Sequence, residues 1–195
     1  NAHVLHPDGS VREGNIAIEG NKIAAVGEIP ASWQPERTID AKEKFAVPGF
    51  VNAHTHASMT LLRSYADDMK LMDWLQQKIW PIEAKMRNED IYWGAMLAAV
   101  EMIQGGTTTF ADMYGPDMEK VAEVVEESGL RAVLSRGLIG VAPDADEKLA
   151  ENVTLFKNWH QKADGRITVM FGPHALYTCP PDYLHKVAEA AKSLG

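Results

Sequence analysis

The chain reads as an α/β protein. A small β-strand domain covers residues 1–45, and a parallel βα series covers 46–195, the length of the first half of a TIM-like (β/α)8 barrel. Three observations lead there. Short strands separated by tight turns fill the beginning. From Phe45 onward, apolar strand-like runs alternate with amphipathic helices, the pattern of right-handed βαβ units and a parallel sheet. Four such units, about 38 residues each, occupy the remainder, whereas a closed barrel takes roughly 250 residues. Were the chain complete, an open doubly wound sheet would be the alternative.

Each element has its own signal. Pro7-Asp8-Gly9-Ser10 is a turn, Gly14–Glu19 a strand, Gly20-Asn21 a second turn and Lys22–Gly27 another strand. The four later runs are Phe45–His54, Thr107–Asp112, Arg131–Ile139 and Arg166–Gly172. Between them, Asn88 can cap a helix that keeps Ile91, Ala95, Ala98 and Met102 on one face and stops at Gly105-Gly106. Further helices are expected over Asp117–Ser128, Glu147–His160 and Pro181–Gly195. Val51, Phe110, Leu134 and Val169 are expected to line the inner face of the barrel.

Composition narrows the function. The chain is 46% hydrophobic and 24% charged, which excludes a disordered or collagen-like polypeptide. Nineteen basic against 27 acidic residues give a net charge of −8, with no Lys/Arg block. Nucleic acid and an anionic membrane surface are therefore not expected partners. No run approaches the roughly 20 apolar residues of a membrane helix. A single cysteine, Cys179, excludes an intrachain disulfide framework and suits a reducing, cytoplasmic compartment. No signal peptide is visible, and a start at Asn1 rather than Met fits a piece of a longer protein.

The strongest chemical signal is Pro48-Gly49-Phe50-Val51-Asn52-Ala53-His54-Thr55-His56. Alternate residues of a strand share a side, so His54 and His56 project together from the end of the first βα strand. Two such imidazoles can grip one divalent metal ion, and strand C-termini are where barrels carry their chemistry. Four other residues stand at informative places. Glu83 follows Trp80-Pro81-Ile82, Arg136 ends the third βα strand, Lys148 lies on the helix after that strand, and His174 follows the fourth strand. Each has a plainer reading: a solvated carboxylate at a helix start, a salt bridge, a solvated lysine, a satisfied buried histidine. Trp74, at helical spacing from Leu71, Leu75 and Lys78, has the spacing of a core residue. Asp67, Asp68 and Asp112 read as structural, and no nucleotide-cofactor glycine motif is present.

The run from Pro48 to Tyr114 resembles the amidohydrolase superfamily, whose first barrel strand ends in H-x-H at a metal site. Met59–Arg63, Ala66-Asp67-Asp68, Leu71–Leu75, Trp80–Glu83 and Gly105–Tyr114 resemble its deaminase branch, and within it the 5′-methylthioadenosine/S-adenosylhomocysteine deaminases. Ser135-Arg136-Gly137 and Phe171–His174 extend the likeness over nearly the whole chain. The resemblance implies a metal-dependent hydrolytic deaminase of adenine nucleosides that releases ammonia, with one zinc ion on His54 and His56. It implies Glu83 on the two ribose hydroxyls, His174 near the base and Arg136 toward the amino-acid carboxylate of S-adenosylhomocysteine. Lys148 stands where some relatives carry a second basic residue, and Trp74 is placed beside the nucleoside. The family's general acid/base residues and remaining ligands belong to later strands, so none is expected within residues 1–195. The expected partner is a small nucleoside, with homo-oligomerisation left open. Two other readings stay open: an aminohydrolase acting on guanine, cytosine or a triazine, and a non-catalytic fragment without a complete metal site.

Overall fold

In the computed structural model, which describes residues 1–195, the chain divides into two units, Asn1–Gly49 and Phe50–Gly195. The first holds β1 (Ala2–Leu5), β2 (Val11–Glu19), β3 (Lys22–Gly27) and β4 (Phe45–Ala46), in the order β3-β2-β1-β4. The β1–β2 turn forms because the Asp8 carboxylate accepts both the backbone N–H and the hydroxyl of Ser10. Gly9 takes φ +80°, a conformation that other residues resist. The expected run Phe45–His54 is not one strand. Phe45 and Ala46 pair in parallel with His3 and Val4, and strand geometry resumes at Phe50. Pro48, with no N–H to offer a ladder, falls in the break.

The second unit carries the βα series. Its strands β5 (Phe50–Thr55), β6 (Thr107–Tyr114), β7 (Arg131–Leu138) and β8 (Ile167–Val169) lie side by side in that order, all parallel. This is the half-barrel sheet anticipated from the alternation. The fourth strand is interrupted: pairing with β7 stops at Val169 and resumes in β9 (Gly172–Pro173). The Asn152 amide, donating to the Met170 carbonyl, occupies the gap.

After β5 come a 3-10 turn (Ala57–Leu62), then α1 (Leu71–Trp74), a π-helical turn (Leu75–Ile79) and α2 (Trp80–Glu83) in unbroken succession. The crossover helices follow: α3 (Asn88–Gln104), α4 (Met118–Ser128), α5 (Ala145–Trp159), the short α6 (Lys162–Gly165) and α7 (Pro181–Lys192). Asn88 was the expected cap of α3, but Arg87 occupies that position. Its N–H is accepted at 2.8 Å by the Asp90 carboxylate, one half of a capping box. Gly129 ends α4 at φ +80°, as its position after the helix suggested.

The core lies between the sheet and the helices. Phe110, Leu134 and Val169 are buried there with Ala98, Val121 and Val125. This corrects the expectation that they line the inner face. Alternation turns Thr109, Ala111 and Met113 to the other side of β6 instead, and those three are only half-buried. Val51, the remaining member of the expected set, is 67% exposed. No helix is long and apolar enough to cross a membrane.

Candidate active site

The C-terminal ends of β5 and β6 are stitched together residue by residue. The Thr55 hydroxyl donates to the Ala111 carbonyl at 2.9 Å. His56 Nδ1 lies 2.7 Å from the Met113 carbonyl, and the Ala57 N–H donates to Asp112 Oδ2 at 3.1 Å. A carbonyl can only accept, so Nδ1 carries the proton and the Nε2 lone pair stays available. Burial holds the half-buried His56 below the ordinary imidazole pKa, against the Met113 bond. His54 and His174 push in the same direction as burial, and Glu83 opposes them. The ring is therefore neutral at neutral pH, the form that binds metals.

His54 stands beside it, exposed, with the two ring centroids 5.0 Å apart and nearly edge-on at 76°. The alternation argument thus brings both imidazoles to one side. Two imidazoles side by side, with the tautomer of His56 pinned, suit a divalent ion such as zinc. No third His, Cys, Asp or Glu of this chain joins them in a metal-holding group. A metal would need further ligands from elsewhere, because a catalytic zinc takes about three from the protein.

Behind the pair, the 3-10 turn is clamped against α3. Thr60 Oγ1 donates to the Gly94 carbonyl at 2.6 Å, and a Cβ on Gly94 would stand 2.3 Å from the Ser58 carbonyl oxygen. Glycine is required at this close approach. Asp112 is fully buried, and burial raises its pKa to about 7 although the Ala57 N–H pulls the other way. Its Oδ1 and the Ser58 hydroxyl are buried without partners. Asp112 thus braces the turn after His56, in keeping with the structural role read for it.

Glu83, the last residue of α2, reaches the same end of the sheet. Tyr114, the last residue of β6, donates its hydroxyl to Glu83 Oε1 at 2.5 Å. The Tyr114 ring centroid lies 5.5 Å from that of His56. Burial, then the bond to Glu83, raises the phenol pKa, so the hydroxyl keeps its proton. Arg136 pairs with Tyr114 across β6 and β7, donates Nη1 to the Tyr114 carbonyl at 3.1 Å and Nε to Glu151 at 2.6 Å. A cavity of about 550 Å³ opens beside Arg136, bordered by Asp117, Met118, Glu147 and Glu151; the histidine pair does not line it. Lys148 forms an ion pair with Asp144 at 2.8 Å. The Lys148 bond is the main cause that lowers the Asp144 carboxyl, and Arg136 adds to it.

His174 is exposed after β9. Its Nδ1 is 3.1 Å from the Thr178 hydroxyl, and its backbone N–H is held by the Leu138 carbonyl. His54, His56, Glu83 and His174 therefore gather within electrostatic reach. Trp74 is half-buried on α1 and makes no side-chain hydrogen bond or ring contact with these residues. Sequence reasoning assigned nothing to Tyr114 or Glu151. The place of Tyr114 at a strand C-terminus was the available signal for it; Glu151, one turn along a solvated helix face, offered none.

A sheet of parallel strands with paired histidines at its first strand end defines a class, and comparison gives it a family. Residues 45–195 match the amidohydrolase family, and the chain belongs to it. The chain is 58% identical over 192 residues to the 5-methylthioadenosine/S-adenosylhomocysteine deaminase of Pelotomaculum thermopropionicum, covering 97% of this chain and 44% of that protein. It is 51% identical over 197 residues to the enzyme of the same name from Desulforudis audaxviator, covering 100% of this chain and 46% of the relative. These residues thus span less than half the length of those relatives. Among solved structures, an adenosine deaminase from Xanthomonas campestris with bound zinc superposes with a TM-score of 0.75 at 35% identity, over 95% of this chain and 44% of that one. An atrazine chlorohydrolase from Arthrobacter aurescens complexed with zinc gives a TM-score of 0.83 at 21% identity, over 97% and 49%, a likeness of fold alone.

Proposed function

We propose that these residues form the N-terminal half of a metal-dependent hydrolytic deaminase of adenine nucleosides, with 5′-methylthioadenosine and S-adenosylhomocysteine as substrates. His54 and His56 would give two ligands to one divalent ion, zinc, whose other ligands come from outside residues 1–195. When bound, such an ion supplies a water acidified toward neutral pH. Glu83 accepts the two ribose hydroxyls, which suits a carboxylate with several lone pairs. His174 borders the base, and Trp74 packs beside the nucleoside. Arg136, with Lys148, takes the carboxylate of the amino-acid tail, where a guanidinium offers a planar fork and a lysine a point charge. Overall, water replaces the amino group of the adenine ring and ammonia leaves.

The observation that carries this reading is the placement of Glu83. Its carboxylate is tied to Tyr114, whose ring neighbours His56, so a diol acceptor stands next to the histidine pair. Hydrolases of guanine or triazines have no ribose to offer it. The test is ammonia release by the full-length protein, supplied with zinc, from methylthioadenosine, S-adenosylhomocysteine and guanine. Turnover of the two nucleosides, crippled but measurable in Glu83→Ala, is expected. Preference for guanine, or indifference to Glu83→Ala, would overturn the reading.

A further inference from the structure

We infer that Tyr114 is a positioning residue for substrate recognition, fixing the Glu83 carboxylate so that its free oxygen meets the ribose diol. The inference rests on the proposed ribose role of Glu83. Glu83 ends a helical segment that belongs to no strand of the sheet, and its side chain has three rotatable bonds. The Tyr114 hydroxyl ties it to the sheet, at 2.5 Å on Oε1. Tyr114 itself cannot wander. The residue is 8% exposed and part of the helix-packed core, its backbone pairs with Arg136, and its carbonyl receives the Arg136 guanidinium. One rigid residue thus touches Glu83, borders His56 and braces Arg136.

A hydrogen bond to a charged acceptor is among the stronger kinds, and it removes in advance the rotamer freedom that Glu83 would lose on binding a diol. The phenol fills one lone-pair direction of Oε1, so the rest of the carboxylate, Oε2 foremost, is left to face the substrate. A tyrosine on a strand reads as packing, so its strand-end position alone does not assign this role.

The experiment uses the full-length, zinc-loaded protein and compares methylthioadenosine with its 2′,3′-dideoxy analogue. Tyr114→Phe keeps the ring and deletes the hydroxyl. We expect KM for methylthioadenosine to rise about 10- to 100-fold, with KM for the dideoxy analogue nearly unmoved, so that discrimination between the two falls. Zinc content should not change, since a loss of packing alone would strike both substrates alike. Glu83→Ala is the reference. If it abolishes discrimination while Tyr114→Phe retains the wild-type ratio, this inference is wrong and the ribose role stands. If Glu83→Ala also leaves discrimination intact, the ribose role itself falls. A double-mutant cycle separates positioning from a folding defect at Tyr114. In the Glu83→Ala background Tyr114→Phe should change the ratio no further, and an added loss of discrimination there would count against positioning.

Discussion

Replacing Gly94 by alanine should damage the site from a distance. In the interior of a helix such as α3, Gly→Ala ordinarily stabilises by about 1 kcal/mol. Here the new Cβ would lie 2.3 Å from the Ser58 carbonyl oxygen and 3.0 Å from the Ser58 Cα. Both atoms are backbone, so no side-chain rotation relieves the contact. The helix and the 3-10 turn must part by about 1 Å, an overpacking strain of the kind that costs about 1–3 kcal/mol or more. Set against the propensity gain, the net loss is up to about 2 kcal/mol, or up to roughly 8 °C in Tm for a chain of this size. The turn begins directly after His56, so the same displacement shifts that ring relative to His54 and should weaken zinc binding about tenfold. The assays are thermal unfolding and a competitive zinc titration on Gly94→Ala. A variant with raised Tm and unchanged zinc affinity would refute the close-packing argument.

Three further outcomes are expected. Asp112 has its pKa raised from 3.8 to about 7 in the folded chain. Its favourable contribution is therefore complete below about pH 4 and lost as pH rises through 7, a fall of several kcal/mol; Asp112→Asn should flatten that part of the pH–stability curve from urea unfolding, and matching curves would contradict it. Arg136→Ala should raise KM for S-adenosylhomocysteine about 10- to 100-fold and leave methylthioadenosine, which has no carboxylate, within about threefold; equal losses in steady-state kinetics would remove the tail role. Residues 1–195 produced alone should release ammonia at less than about a thousandth of the full-length rate, since members of one catalytic constellation act as a unit; comparable turnover would show the outside ligands to be dispensable.

The sequence made some of this legible and hid the rest for physical reasons. Strand alternation placed His54 and His56 together, because the period of two is a property of the backbone. The helix stop at Gly129 was equally readable. The face of Phe110, Leu134 and Val169 was not, because a parallel sheet shows little polar contrast between its sides and apolar residues fit either. The break at Pro48 was underestimated because the residues on both sides of it favour strands. Glu83 became a candidate through resemblance alone, since nothing in the spacing Trp80-Pro81-Ile82-Glu83 distinguishes it from a solvated carboxylate. Tyr114 and Glu151 needed coordinates: their significance lies in contacts 31 and 15 residues away along the chain.

Zinc stoichiometry of the full-length protein, measured beside its His54→Ala and His56→Ala variants, tests the central claim most directly. The account predicts about one zinc per chain in the parent, substoichiometric metal in both variants, and loss of ammonia release from methylthioadenosine by a factor of ~1,000 or more. Variants that keep both the metal and the activity would contradict it.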